Sequence, residues 1–582
     1  MKKTLAIVLS VMMVLSLCAG MFVFSASAAE TTWGEEQANK YWAEATKATK
    51  VSVRVNGKAV VISEKVTDVK LADLFKDVAL VAEDKKETQS VTLAGTISFD
   101  GGVLTLKGVA ATLVTKATEA GKEDTKANAL TINANGGLKV IIEKGAFAGQ
   151  IQTHEYWEMV EGTLTKIADA IPDKAHTIVT SPDGSVLTGG GNTIRAGFGA
   201  IVIYGDIAAD INTGTGWHGV LNASNGKDYP LIFDPQKPWT LTGSGNMIES
   251  RAGNIELGDN VFVTIKPFTG AGGATAFAMT NAAVAGAKII VDGNATIVSE
   301  GNSWVINQGD TKNGEVIIKD NAFIWHKAAA LVNWGGTVRG SSLKISGNAT
   351  IVSDLTAAAT GTSFVSLQAD GNKDDTDVLE ISSGKFYLTV NPTEKTNRAH
   401  AIFLKEIKSA TISGGDFYIK VGNTAAGGSQ GIFCNQTRCD EINITGGNFK
   451  VVGDANTNLF NIRVAGAVNI TGGSFDASGT ACILRAEATD VTMTVGTNAK
   501  VAISAAAFVA ADSKEVTVTG ADTTAKEIKV GTVNTVNTTA PARPEPPKDI
   551  PETSDASVAA IAAVALISVA AAVVVLRKRV NG

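Results

Sequence analysis

Ile381-Ser-Ser-Gly-Lys-Phe386, Ile412-Ser-Gly-Gly-Asp-Phe417, Ile444-Thr-Gly-Gly-Asn-Phe449 and Ile470-Thr-Gly-Gly-Ser-Phe475 are one phrase written four times. A second wording precedes them: Leu257-Gly-Asp-Asn260-Val, Val291-Asp-Gly-Asn294-Ala, Ile318-Lys-Asp-Asn321-Ala and Ile345-Ser-Gly-Asn348-Ala. It returns at Val495-Gly-Thr-Asn498-Ala. From one leading apolar residue to the next, the steps run from 25 to 36 residues. Self-similarity at that period marks a solenoid, in which each unit buries its apolar face only against its neighbours.

The wording sets the kind of solenoid. Residues before each turn alternate, as in Ile442-Asn-Ile444 and Val468-Asn-Ile470, the period of a half-buried strand. Gly-Gly or Gly/Asp-Asn follows, residue types that accept positive φ and let a strand bend sharply. Alternation then resumes, with Phe417, Ile419 and Val421 on one side and Tyr418 and Lys420 on the other. Strand, corner, strand, without helical spacing, describes one rung of a parallel β-helix. Phe417, Phe449 and Phe475 are expected to point inward and stack on successive rungs. The Asn-type rungs resume with Ala-x-Ile, one residue out of phase, so their inward residue is left open.

These repeats resemble the right-handed parallel β-helix of the pectate-lyase-like superfamily, and among its members the repetitive surface proteins of Gram-positive bacteria. The resemblance covers about 130–531. It implies an all-β solenoid, and it rests on the repeat rather than on a catalytic motif.

Outward from the repeats, 60 glycines, 6% aromatic and 19% charged residues suit a long β stack better than a disordered chain. Residues 1–28 read as a signal peptide: Lys2 and Lys3, an apolar run from Leu5 to Phe24, then Ala26-Ser-Ala28. Residues 29–90 read as a small N-terminal cap or irregular first rungs. They hold a short helix within 37–50 and a hairpin, Val51–Val55 and Ala59–Ile62, around Asn56-Gly57. The β-helix is assigned to 91–531, with an insertion near 151–245 that fits the repeat poorly. Within it, 158–170 reads as helical and 215–240 as a loop carrying Trp217, Tyr229 and Trp239. Those three rings are the candidate glycan-binding residues, because sugars stack on Trp and Tyr. The competing reading is that they pack the insertion onto the solenoid wall.

Past Gly531 the composition changes. Residues 532–549 are rich in Thr, Val and Pro and read as an extended stalk. In 550–582, Ile550-Pro551-Glu552-Thr553-Ser554 meets an apolar run from Ala556 to Leu576, just long enough to span a bilayer, and Arg577-Lys578-Arg579 closes it. This order resembles the cell-wall sorting signal of sortase substrates, with Ile in place of the usual Leu and Ser554 in place of Gly. The resemblance implies attack by a sortase cysteine on the Thr553 carbonyl, cleavage before Ser554 and linkage to peptidoglycan. The competing reading is a plain membrane anchor. Either way the body lies outside the cell.

The formal net charge is −6, and the basic residues of the leader and tail would be lost on processing. No basic tract remains to hold a phosphate backbone, so nucleic acid is not an expected partner. The polygalacturonase order fails, since His218-Gly219 precedes Asp374-Asp375 and no Arg-x-Lys follows them. No catalytic residue, metal ligand set or cofactor motif is assigned: the five histidines lack metal spacing, and Gly189-Gly-Gly191-Asn192 lacks the lysine of a phosphate loop. The function expected is a cell-surface structural and adhesive protein, displaying a face for polysaccharide or host glycan. The alternative is a wall-anchored polysaccharide lyase or glycoside hydrolase. A carboxylate pair in a groove would favour the enzyme; a smooth Thr/Asn/Lys face would favour adhesion. Aligning the rungs puts Cys434 and Cys482 in one column two rungs apart, too far to bridge, so Cys434, Cys439 and Cys482 are expected as free thiols.

Overall fold

The computed structural model describes residues 31–45, the backbone of strands between 51 and 134, and 136–547 apart from 144–145, 154–156, 161–162, 167–173, 215–217, 225–227, 268–278, 282–283, 302–303, 309–312, 328–329, 334–340, 357–363, 371–376, 391–398 and 423–428. The expected signal peptide, Trp217, the sorting motif and the apolar C-terminal run lie outside the described residues. Among the described residues, no helix is long and apolar enough to cross a membrane.

The chain is a parallel β-helix. One rung is Ile255–Leu257, Val261–Ile265 and Met279–Asn281; each strand pairs in parallel with its counterpart in the next rung, Lys288–Val291, Thr296–Ser299 and Ile306–Asn307. Three faces result, and residues alternate between the interior and the outside along each. The inward residues form one continuous apolar core from Leu138 to Ile528. Antiparallel strands close both ends: Val51–Val55 and Lys58–Ile62 form the expected hairpin, which pairs with Leu130–Ala134, and Glu527–Val530 pairs with the strand ending the last rungs. A stack left open there would template further strands.

The phenylalanine ladder is present. Phe386, Phe417, Phe449 and Phe475 are buried, with successive ring centroids 4.2, 4.4 and 4.9 Å apart. In the Asn-type rungs the same column holds Val263, Ile297, Ile324 and Ile351, which settles the inward residue there. The residue two before the column is Val261 in the first of those rungs and Ala295, Ala322 and Ala349 in the next three, and Gly384, Gly415, Gly447 and Gly473 in the phenylalanine rungs. Alanine or valine goes with an aliphatic side chain and glycine with a ring, so the filled volume stays nearly level along the axis.

Several expectations are corrected. Residues 177–243 are not an insertion: Thr177–Ser181, Ile201–Gly205 and Leu231–Pro235 are consecutive strands of one face. The 158–170 segment is not a helix: Trp157–Val160 and Thr163–Lys166 form an antiparallel hairpin with a two-residue connection. The helix expected within 37–50 starts earlier. It spans Trp33–Glu44 and is here α1, begun by Thr32, whose hydroxyl accepts from the Glu35 N–H at 3.2 Å. The three-thiol expectation fails as well. Cys439 is disulfide-bonded and Cys482 is the free cysteine among the described residues; the Cys434 side chain lies outside them. The column assignment was also wrong, since Cys434 pairs with Ile462, whereas Cys482 pairs with Asn458.

Two segments cover the outside of the solenoid. Helix α1 lies on the first face over Ile178, Val202 and Ile232, an outward column that solvent would otherwise reach. Burying each such side chain stabilises by about 1.5–3 kcal/mol. The helix comes close because position 34 has no side chain: a Cβ there would stand 2.5 Å from Asp234 Cβ, and the Gly34 N–H donates to Asp234 Oδ2 at 2.7 Å. A carboxylate at a helix N-terminus is also favoured by the helix dipole.

The second cover corrects the stalk. Residues 532–547 do not project; they fold back along the second face. The Asn534 N–H donates to Ser474 Oγ at 2.6 Å and its Nδ2 to Asn448 Oδ1 at 2.7 Å. Asn537 Nδ2 reaches Tyr387 Oη at 3.3 Å, and Arg543 Nε pairs with Glu300 Oε1 at 2.9 Å. These partners lie on successively earlier rungs. Beneath this strap an outward column of Val298, Trp325, Val352 and Tyr387 is buried, with Tyr418 packed against it. Pro541, Pro544, Pro546 and Pro547 lack an N–H to offer a sheet, so that end of the strap lies over side chains instead of joining the ladder.

Candidate functional site

Where α1 meets the first face, a cleft of about 300 Å³ opens. Trp33, Gln37, Lys40 and Tyr41 line it from the helix. Their spacing of i, i+4, i+7 and i+8 sets them on one helical face. The wall contributes Asp228, Pro230, Ile232, Asn254 and Glu256. Asp228 lies against the backbone of Gly253 in the following rung, which brings it beside Asn254 and Glu256. Glu256 continues the outward column Ile178–Val202–Ile232, so the wall turns from apolar to acidic where the helix stops covering it.

The chemistry of the cleft is aromatic and acceptor-rich. Trp33 is 40% exposed and is the exposed large hydrophobic side chain of the described residues. Asn254 Nδ2 donates to Glu256 Oε1 at 3.0 Å, while its Oδ1 accepts from the Lys288 N–H at 2.9 Å, so the amide is fixed in orientation. Burial, then the charges of Glu256 and Asp228, push the Tyr41 hydroxyl up to about 12. It therefore remains a proton donor at neutral pH. Lys40 Nζ sits 5.2 Å from the Tyr41 ring centroid, within reach of a cation–π contact.

Of the two candidate rings among the described residues, Tyr229 is the one near this cleft. It is half-buried and meets His176 edge-on at 5.2 Å; His176 in turn meets Tyr41 at 5.1 Å, so Tyr229 supports the cleft rather than lining it. Trp239 is corrected: it is wholly buried in the core, 6.0 Å from Phe233, and offers no face to a sugar. Trp33, Gln37, Lys40 and Tyr41 were missed. The amphipathic spacing of that helix carried the signal, but its partner wall could not be known without the register.

A second polar group surrounds His218 on the third face. His218 Nδ1 lies 3.1 Å from Glu249 Oε2; Arg251 Nε holds Glu249 Oε1 at 2.6 Å, and Asn246 Nδ2 donates to Oε2 at 3.1 Å. Burial, helped by Arg251, outweighs the pull of Glu249 and lowers the His218 pKa, favouring the neutral ring. The Glu249 side chain is 8% exposed and its oxygens are already engaged, which leaves a substrate no access. Among the described residues no group of His, Cys, Asp or Glu is arranged to hold a metal ion.

Further along the first face the outward residues are small and polar: Thr411, Asn443, Asn469 and Thr494 form one column, with Asn469 Nδ2 donating to Asn443 Oδ1 at 2.9 Å. This stretch is a smooth ladder rather than a groove. Comparison of the whole chain with protein-family models, with curated proteins and with solved structures gives no match.

Proposed function

We propose that the chain is a surface protein of a Gram-positive bacterium, exported through residues 1–28 and anchored in the cell wall through Ile550-Pro551-Glu552-Thr553-Ser554. In this reading the β-helix is a structural and adhesive body, and a glycan is bound in the cleft between α1 and the wall. The observation that carries the binding role is Trp33: a large exposed ring lining a cleft that also presents the hydrogen-bonding groups of Gln37, Tyr41, Asp228, Asn254 and Glu256. That pairing suits a sugar ring, which has an apolar face and a polar edge. The smooth Thr/Asn column supports a display role for the rest of the first face.

The test is a glycan and mucin array probed with the secreted chain and with Trp33→Ala. Binding that disappears in the variant supports the reading, and binding indifferent to Trp33 removes the cleft from it. Anchoring is tested separately by fractionating cells that carry Thr553→Ala. Unchanged recovery with peptidoglycan would end the sortase reading and leave a membrane anchor.

A glycoside hydrolase is the second reading, favoured by one observation: two carboxylates, Asp228 and Glu256, line the same cleft. Hydrolysis needs one of them shielded and protonated to act as acid. Asp228 is exposed and Glu256 accepts from an amide, so the pair is better suited to accepting hydrogen bonds. Release of reducing sugar from an array ligand, abolished by Glu256→Gln, would reverse that preference.

A further inference from the structure

The cleft already accommodates one ammonium group. Lys40 Nζ lies over the Tyr41 ring, on a wall whose charged groups among the described residues are Asp228 and Glu256. Among the described residues no cation is hydrogen-bonded to either carboxylate, and Glu256 accepts from the neutral amide of Asn254. Aromatic rings combined with carboxylates recognise cations, because the ring face and the anion both present negative potential. A neutral sugar would use the rings and hydroxyl acceptors but gain nothing from the second negative charge.

Resting on the glycan reading above, we propose that the cleft selects an amino sugar carrying a free ammonium group, with its ring face on Trp33 and the ammonium between Tyr41, Glu256 and Asp228. Lys40, whose Nζ lies 5.2 Å from the Tyr41 ring centroid, competes for that ring face and swings out on its flexible four-carbon stem when the ligand enters. About 300 Å³ is at the small end of ligand pockets, so one ring is held and the remainder of a chain runs into solvent.

The experiment is titration calorimetry of the full secreted chain with glucosamine, N-acetylglucosamine and glucose. Circular dichroism and thermal melting of every variant establish that it is folded. Glucosamine is expected to bind at least about ten-fold more tightly than the other two, the usual scale for a hydrogen bond to a charged group. Glu256→Gln, which keeps the shape of the side chain, should erase that preference, bringing the ratio of glucosamine to glucose affinity to about one. Lys40→Met should strengthen glucosamine binding, since the competing ammonium is gone. Weaker binding in Lys40→Met would make Lys40 a ligand contact and overturn the proposal. Equal binding of glucosamine and glucose would overturn the ammonium preference yet leave the glycan reading standing. No binding of any of the three, together with an array on which Trp33→Ala changes nothing, would end both.

Discussion

Gly415 stands against the ring of Phe417: a Cβ at position 415 would lie 3.2 Å from Phe417 Cε2 and 3.2 Å from Phe386 Cε2, and the backbone there has φ +98°. Gly415→Ala therefore combines overpacking with a strained conformation. The expected cost is about 1–3 kcal/mol from packing alone. Because a solenoid need not unfold in one step, the measurement is amide exchange of Lys385–Val390 and Asp416–Val421. Loss of protection confined to these rungs is expected; unchanged protection would mean that the glycine is not required by the ring.

Phe449 has a ring on either side, Phe417 at 4.4 Å and Phe475 at 4.9 Å. Phe449→Ala should cost about 3–5 kcal/mol, the usual range for a buried phenylalanine. The loss should appear as local exchange in strands 416–421 and 474–486. A variant with wild-type protection there would show that the interior collapses around the gap.

Much of this was legible because a corner demands particular residues. Gly-Gly and Gly-Asn fixed the rungs from Leu257 onward, and the phase they set put the phenylalanines inside. The rungs between 177 and 243 escaped because their corners are built otherwise: Pro182-Asp-Gly-Ser185, Asp206-Ile207 and Gln236-Lys-Pro238 serve the same turns without repeating a phrase. Trp239 sat beside such a corner and looked like a loop residue. Of the two external covers, the helix was legible in part as an element within 37–50, but the docking of either cover on the solenoid was not. An outward column such as Ile178–Val202–Ile232 exists only once the register is known, since its members lie 24 and 30 residues apart. The cleft inherits that difficulty, because half of it belongs to α1 and half to the wall.

The cysteines give a chemical check. Cys482 donates to Asn458 Oδ1 at 3.0 Å, and burial pushes its thiol up to about 12. Native protein at pH 8 should react negligibly with a thiol reagent, since the thiolate is the nucleophile. In the proposed mature chain, which would lack Cys18, a bridge at Cys439 beside a free Cys482 accounts for all three remaining cysteines. Unfolded, unreduced mature protein should then titrate one thiol per chain, and reduction should raise this to three. Three thiols before reduction would contradict the bridge.

Glu315 couples stability to acid. Burial alone would raise its pKa, but hydrogen bonds from Lys288 Nζ and Lys344 Nζ, each at 2.7 Å, outweigh this and the net shift is downward. A carboxyl with a depressed folded pKa stabilises fully above its unfolded value, about 4.3, and the contribution is lost as pH falls through the folded value. The lysines are partly exposed, so the effect should be about 1 kcal/mol or less. Thermal melting from pH 6 to 3 should show a decline below about pH 4.5 that is shallower in Glu315→Gln. Parallel curves for the two proteins would remove Glu315 from the account.

Strap docking predicts protection from proteases. Peptide bonds between Thr532 and Arg543 should resist limited proteolysis while Asn534 and Asn537 keep their partners. Arg543→Ala removes the pair with Glu300 and should speed cleavage there, with increased binding of an apolar dye as Trp325 and Tyr387 become exposed. Equal cleavage rates would show that the remaining contacts hold the strap unaided.

The direction in which the strap runs decides how the molecule bears a load. Among the described residues its last docked side chain is Arg543, which meets the rung of Glu300, well short of the solenoid's C-terminal end. Tension on the chain beyond residue 547 falls first on that single contact, then on Asn537, then on Asn534. Attachments opened one after another yield at lower force than the same attachments sheared together. Unpeeling 532–547 would pay out about 50 Å of slack before Glu527–Val530 is strained. The segment is then an extensible tether with a defined unzipping order, able to re-dock when tension drops, and the β-ladder behind it is spared until that length is spent.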